Sequence, residues 1–366
     1  MKNQTEKSYR IQPRFLYFAA VVALLITILS ACGQPSRSIT ETVAGDYIAV
    51  FFTAPQYTDD INYSGGIDEN LVALIDAAQE SVDVAAYDIE LDSVADALIR
   101  AHTDDLAVRI VTDEGYADED ALIRLRESGL PVVARPESGN GIMHNKFVVV
   151  DGTWVWTGSW NMTFNGTYRN DNNAVIVASR ALAGGYTAEF EEMFAGQFGA
   201  SSPAATTYPS VNIAQENGIV AQVSVAFAPE DGVEAQLTSL LADAESSIRF
   251  MAFVFTSEPL AQLLSNVAAN GIDVRGVLES RSAGSEHSQH DLLLDGGVDV
   301  RIDGNPYTMH HKVLIIDERF VVLGSYNFSA SAERRNDENI LIVDDPTIAT
   351  LYLAEFDRVY NQATVP

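Results

Sequence analysis

Beyond residue 31 the chain contains two lysines, Lys146 and Lys312, and each stands two positions after a histidine, in Met143-His144-Asn145-Lys146 and Met309-His310-His311-Lys312. The register extends well past these four residues. His144, Lys146, Asp151, Gly158, Ser159, Asn161, Asn170, Asp171 and Asn173 recur 166 positions later as His310, Lys312, Asp317, Gly324, Ser325, Asn327, Asn336, Asp337 and Asn339. Two copies of one arrangement are therefore present. On an extended segment the side chains at i and i+2 share a face, so each histidine and its lysine can hold one ligand. A neutral imidazole supplies a nucleophile or base, an imidazolium supplies an acid, and an ammonium group holds anionic oxygens.

His-x-Lys, four further residues and Asp, then Gly-Ser-x-Asn, stated twice in register, resembles the phospholipase D superfamily over essentially the whole mature chain. The resemblance implies a phosphodiesterase without metal or cofactor, in which two units meet about a pseudo-twofold axis and their histidines face one phosphorus. One histidine attacks and becomes a phosphohistidine, while the other protonates the leaving alcohol. The residue types agree with that chemistry. Cleaving a phosphodiester requires two non-bridging oxygens to be neutralised while a nucleophile and an acid work on opposite sides. Lys146 and Lys312 would clamp the oxygens, with Asn161 and Asn327 as amide donors, and Ser159 and Ser325 would support the pocket by hydrogen bonding. Asp151 and Asp317 complete the motif, and their place at a strand end before a turn favours turn fixing over chemistry.

The copies differ at one informative position. Arg169-Asn170-Asp171-Asn172-Asn173 matches Arg335-Asn336-Asp337-Glu338-Asn339, so Glu338 stands where the first copy has Asn172. A carboxylate bonded to the far ring nitrogen stabilises an imidazolium, and an amide does not. The expectation is that Glu338 backs His310 as the protonated acid and leaves His144 as the neutral nucleophile, the role the resemblance also favours for the first-motif histidine. Asp171 could serve His144 as Glu338 serves His310. Trp160, between Ser159 and Asn161, and its match Tyr326 are candidates for touching substrate, whereas Trp154 and Trp156 share a strand face and read as core. His287 and His290 have His-x-x-His spacing but no third ligand, so no metal site is expected. His102 closes a helix, where a cation suits the dipole, and His311 should point away from the catalytic pair.

The elements that must position these groups also come in two series. In the first, strand patterns at 47–52, 81–87 and 107–112 alternate with helical patterns at 68–79, 93–102 and 119–128. In the second, strands at 219–227, 246–255 and 274–278 alternate with helices at 232–244 and 259–269. Each series then runs through His-x-Lys, an apolar strand (147–150; 313–316), a turn, a second strand (154–157; 320–323), an Asn-rich loop, another strand and a closing helix. Alternation of this kind predicts an α/β fold. The expected form is two similar lobes, each a mixed, largely parallel sheet flanked by helices. The units fall at 47–198 and 218–363, joined by a Ser-, Ala-, Thr- and Pro-containing linker at 199–217.

Residues 1–31 combine a basic start, a fifteen-residue apolar run and small residues before Cys32, which fits a secretory signal better than a spanning helix of about 20 apolar residues. Leu29-Ser30-Ala31-Cys32 resembles the lipobox of bacterial lipoproteins, implying a lipidated Cys32, a polar tether at 32–46 and an extracytoplasmic, membrane-anchored protein. Cys32 is the chain's one cysteine, so no internal disulfide is expected. After residue 31 the chain holds 18 basic and 50 acidic residues, a net −32. Such a charge opposes polyanion binding. A monomer acting on phospholipid headgroup esters and releasing phosphatidic acid is therefore the first expectation. A nuclease or other extracytoplasmic phosphodiesterase is the alternative, and a catalytically silent binding module stands further off.

Overall fold

The valine- and isoleucine-rich runs after each His-x-Lys form the centres of two sheets. The protein's structure, a computed structural model, describes residues 48–57, 63–137, 140–202, 210–214 and 220–365. The expected signal segment 1–31, Cys32, the expected tether 32–46 and Tyr47 lie outside the described residues. The first sheet has strands β1 (Ile48–Phe52), β2 (Ser81–Ala86), β3 (Ala107–Asp113), β4 (Val132–Arg135), β5 (Lys146–Val150), β6 (Trp154–Gly158) and β7 (Asn173–Ala178). Their order is β1-β7-β6-β5-β2-β3-β4. The second has β8 (Val211–Ala214), β9 (Val220–Ala228), β10 (Ser247–Ala252), β11 (Asp273–Leu278), β12 (Asp299–Ile302), β13 (Lys312–Ile316), β14 (Phe320–Gly324) and β15 (Glu338–Asp344). These run β12-β11-β10-β13-β14-β15-β9-β8.

Both sheets are mixed, as the alternating pattern predicts, but the parallel share is smaller than expected. Parallel pairing is confined to β2-β3-β4 and β10-β11-β12, where helices such as Asp92–Thr103 and Glu258–Ala269 cross between strands. The His-x-Lys strands β5 and β13 join antiparallel on both sides. On one side the reason is local: three-residue connections, 151–153 and 317–319, whose first two residues have positive φ, return the chain at once as hairpins.

The inner faces of the two sheets share one core. Val149 and Val177 of the first sheet belong to the same buried cluster as Ile315 and Val343 of the second, with the helices Arg180–Phe194 and Pro346–Gln362 contributing Phe190 and Phe356. Each outer face carries its own helices over a separate core. The two lobes consequently pack as one compact unit rather than as independently closed domains. The stretch read as linker also contains β8, which pairs with β9. Its Val-Asn-Ile-Ala alternation is enough to bury Ile213 on the sheet.

Candidate active site

Each catalytic motif enters its sheet from a segment held by the other lobe. Met143 and Asp337 form a parallel bridge, as do Asp171 and Met309. The His144 amide donates to the Asp337 carbonyl at 2.9 Å, and the His310 amide to the Asp171 carbonyl at 2.9 Å. The Asn-rich loop of one lobe thus lies beside the histidine of the other. Gly158 and Gly324 permit a second close approach, within each lobe. With φ of +157° and +143°, they bring β6 and β14 so close to the following strands that a Cβ would lie 2.3 Å from the Asn173 or Asn339 carbonyl oxygen.

The histidine supports are crossed relative to the sequence expectation. Glu338 Oε2 lies 2.7 Å from Nδ1 of His144, not beside His310. His310 Nδ1 faces the Asn172 side-chain oxygen at 2.9 Å and the Ser159 carbonyl at 3.1 Å. Both contacts of His310 are acceptors, so Nδ1 carries the proton and Nε2 is left for chemistry. Glu338 likewise fixes the Nδ1–H form of His144. Asp171 is not available as a substitute. It is engaged by Arg358 and Asn305, as Asp337 is engaged by Arg135 and the Gly199 amide.

Lys146 Nζ donates to its own motif's His144 carbonyl at 2.7 Å, and Lys312 Nζ to the His310 carbonyl at 2.8 Å. Each ammonium faces a ring, Tyr87 at 5.1 Å and Phe253 at 4.7 Å. The same rings pack against His144 and His310. All four catalytic candidates are more than nine-tenths buried, and burial dominates their titration. It pushes His144 down to about 4, opposed by Glu338 and reinforced by Lys146 and Lys312. His310 falls well below the ordinary imidazole value through burial, both lysines and His144. Burial takes Lys146 down to about 7 against the pull of Glu338 and Asp88, and Lys312 well below its usual value. Glu338 stays below the usual carboxylate range, because His144 and Lys146 outweigh the burial that would raise it. The two histidines and two lysines of separate lobes therefore sit within one another's electrostatic reach, with the buried Glu338 carboxylate on the His144 side.

The remaining sequence candidates divide into two groups. Ser159 and Ser325 are buried beside the catalytic pair: Ser159 donates to Asn172, and both hydroxyls accept backbone amides of the adjoining strand. Asn161 and Asn327, at equivalent positions, each keep a buried amide oxygen without a protein hydrogen-bond partner. The other candidates lie away from the cleft. Asp151 accepts the amides of Gln79, Glu80 and Ser81, and Asp317 those of Glu245, Ser246 and Ser247. They clasp the starts of β2 and β10 at the far ends of β5 and β13. Trp160 and Tyr326 are corrected from substrate contacts to core residues. Trp160 packs on Trp156 and donates to Thr167, and Tyr326 donates to Glu333; each is about 98% buried or more. The residue after Ser in each motif points into the outer core because Ser itself faces the cleft.

His311 is turned from the cleft, between Asn173 and Glu355. The His290 ring hydrogen-bonds Asp291, and no cluster of three metal-ligating side chains is found among the described residues. Three neighbours were missed from sequence: Tyr87 and Phe253, which wall the histidines, and Asn172 as the support of His310. The first two stand 166 positions apart, so the repeat itself carried that signal.

The family model described as "Cardiolipin synthase, PLD-like domain" matches residues 71–194 and again 237–360. A phospholipase D of Rickettsia conorii is 35% identical over 132 residues, covering 36% of this chain and 66% of that protein. A human mitochondrial cardiolipin hydrolase is 35% identical over 133 residues, 36% of this chain and 52% of that protein. The chain thus spans between half and two thirds of the length of these relatives. Phosphatidylserine synthase of Haemophilus influenzae Rd KW20 aligns over 85% of this chain and 87% of its own, with a TM-score of 0.59 at 16% identity, a likeness of fold.

Proposed function

Because the chain belongs to the phospholipase D superfamily, whose domain it contains twice, and because its members are phosphodiesterases, we propose that it cleaves phospholipid headgroup esters through a phosphohistidine on His144. The observation that carries the reading is the bond between His144 and Glu338. As Nε2 of His144 attacks phosphorus, positive charge develops on the ring, and Glu338 neutralises it through the Nδ1 proton. The more basic imidazole is the better nucleophile. His310, backed by two neutral oxygens, is the stronger acid and gives its Nε2 proton to the leaving oxygen as the P–O bond breaks. Water then attacks the phosphohistidine, returning its proton to His310 and releasing His144 and the phosphatidic acid product. Lys146 and Lys312 hold the non-bridging oxygens, to which the side-chain NH2 groups of Asn161 and Asn327 also donate.

Lipid is favoured over nucleic acid by the net −32 after residue 31. The relatives named phospholipase D and cardiolipin hydrolase point the same way. We further propose an extracytoplasmic protein tethered by lipidation of Cys32, acting as a monomer because one chain supplies both histidines. The decisive assay offers purified protein mixed micelles of phosphatidylcholine or phosphatidylglycerol, and single- and double-stranded DNA. Release of phosphatidic acid with a phosphoryl adduct trapped on His144 is expected. DNA cleavage without lipid turnover, or an adduct on His310, would overturn the assignment. Metabolic labelling with fatty acid should mark wild type and not Cys32→Ala; equal labelling of both would remove the tether.

A further inference from the structure

The residue between His and Lys in each motif turns into the core that the lobes share, and there it crosses to the other lobe. His311 Nδ1 lies 2.9 Å from the Asn173 side-chain nitrogen, and its Nε2 lies 3.0 Å from Glu355. Because an amide nitrogen only donates, Nδ1 accepts, and the ring proton sits on Nε2 and is given to Glu355. Asn145, 166 positions earlier, does the same with an amide: its oxygen accepts from Asn339 at 2.7 Å and its nitrogen donates to Glu189 at 3.3 Å. In each case the asparagine belongs to the other lobe and the glutamate to the closing helix of the same lobe. Tyr352 and Tyr186 of those helices donate to the Asn173 and Asn339 oxygens. His311, Asn145, Asn173 and Asn339 are fully buried, where a polar chain is stable only if its members are paired.

From His311 the chain of bonds leads back to the cleft. The Asn173 side-chain nitrogen also reaches the Ser159 hydroxyl at 3.3 Å, and that hydroxyl donates to Asn172 Oδ1 at 2.9 Å. The same Asn172 oxygen meets Nδ1 of His310. On the far side of His311, Glu355 is gripped by Arg358, which extends to the Asp171 carboxylate, and the Asp171 carbonyl accepts the His310 amide. His310 is thus enclosed by a circuit that starts at its ring and returns to its own backbone. The corresponding circuit at His144 is broken at one place, because Glu192 stands where the other helix has Arg358, and Asp337 is held by Arg135 instead. Burial would raise Glu355, but Arg358 and His311 hold it below the usual carboxylate range. Burial and the acids Glu230, Asp337, Glu192 and Asp231 push Glu189 well above that range.

We propose that Asn145 and His311 are positioning residues that couple the lobes, and that His311 sets the acid: by fixing the Asn173 amide it keeps the Ser159 hydroxyl on Asn172 and the Asn172 oxygen on the His310 ring. The inference rests on the reading of His310 as the acid given above. Asn145 shows that the task needs an acceptor and a donor at the end of a short side chain, not an imidazole as such, so His311→Asn is the conservative variant. Without the bridge the buried Asn173 nitrogen loses an acceptor, and Asn172 is no longer held on His310. The imidazolium then keeps only the Ser159 carbonyl, and its proton leaves at lower pH. Lys312, Lys146 and His144, the charged and titrating groups that face His310, are the same in every variant.

The test uses the whole protein on phosphatidylglycerol in detergent micelles, and follows the His310 titration separately by NMR of histidine-labelled protein. His311→Leu should lower kcat about 10- to 100-fold, leave KM nearly unchanged and move the His310 titration to lower pH. His311→Asn should recover most of kcat and return the titration toward wild type. Tyr352→Phe, which keeps the ring and takes one donor from Asn173, should lower kcat a fewfold with a shift of the same sign, so a misfolded leucine variant still leaves a test. Equal losses in His311→Leu and His311→Asn with the His310 titration unmoved, or full activity in His311→Leu, would reduce His311 to a packing residue and overturn the inference. A wild type that turns over no phospholipid, while its His310 titration still shifts in the variants, would overturn the phospholipid reading alone.

Discussion

His144 and His310 occupy equivalent places on equivalent hairpins, yet the first has an ionised carboxylate on its Nδ1 and the second has an amide and a peptide oxygen. The lobes thus share their backbone architecture and differ in the charge behind each ring. A twofold scaffold must act on a phosphodiester whose two sides are different, one receiving a nucleophile and the other losing an alcohol. The difference lies one residue deep in the loops rather than in the catalytic residues. On the proposed mechanism, exchanging Asn for Glu at one of two related positions would separate a better nucleophile from a better acid, while the lysines and serines stay alike.

The strongest way to break this comparison is to remove each ring. His144→Ala and His310→Ala should each lower kcat by at least about 10³-fold, since general acid or base assistance alone contributes roughly 10²–10⁴. The double variant should be no worse than the poorer single variant, as for residues that act as a unit. Half activity in each single variant would instead mean two independent sites. With a substrate whose leaving group needs little protonation, His310→Ala should still trap an adduct on His144.

Removing the charge difference is the next step. Glu338→Gln makes the two supports alike and should lower kcat about 10- to 100-fold, the range for groups that orient a functional imidazole. Asn172→Ala, which leaves the Ser159 carbonyl on His310, should cost less. If the two substitutions cost the same, the carboxylate has no special role in attack.

The pH profile sharpens the same point. His144 must be neutral to attack, so kcat/KM should rise with pH through about 4. On the alkaline side activity should fall first as His310 loses the proton it donates, at a pH that burial holds well below the ordinary imidazole value, and again as Lys146 loses the charge that holds phosphate, through about 7. The optimum is therefore acidic. Glu338 raises His144 and Lys146, so Glu338→Gln should move the acid limb and the Lys146 step to lower pH while the His310 step stays in place. A Lys146 step that stays in place would separate Lys146 from Glu338.

The sequence revealed the repeat, both His-Lys pairs and most of the strands along the chain because these depend on local spacing and hydrophobic period. It did not reveal who supports whom. The offset of 166 relates equivalent residues, whereas at a pseudo-twofold interface contacts run from one copy to the non-equivalent part of the other. Glu338 is therefore remote from His310 in role and bonded to His144, and Asn172 is bonded to His310. The same limit hid the common core, since the apolar faces of Arg180–Phe194 and Pro346–Gln362 read alike whether they close one lobe or join two. Trp160 was misjudged because alternation beside a buried serine sends the next side chain to the opposite face.

The smallest effect on catalysis is expected at Asp151 and Asp317, and it tests the part of the comparison in which the lobes are alike. Each carboxylate accepts three consecutive backbone amides at the start of a neighbouring strand and sits in a left-handed turn, with φ of +52° and +54°. Replacement by Ala leaves those donors to water or unpaired and places alanine in a conformation it disfavours, so each change should cost about 1–3 kcal/mol of stability. Asp→Asn, which tolerates that turn and retains one acceptor, should recover part of the loss. The two lobes should respond equally in denaturant midpoints, and kcat of the folded protein should stay within about twofold, because β5 and β13 separate these turns from the cleft by five residues of about 3.4 Å each. A drop in kcat comparable to that of the histidine variants would return the aspartates to the catalytic group.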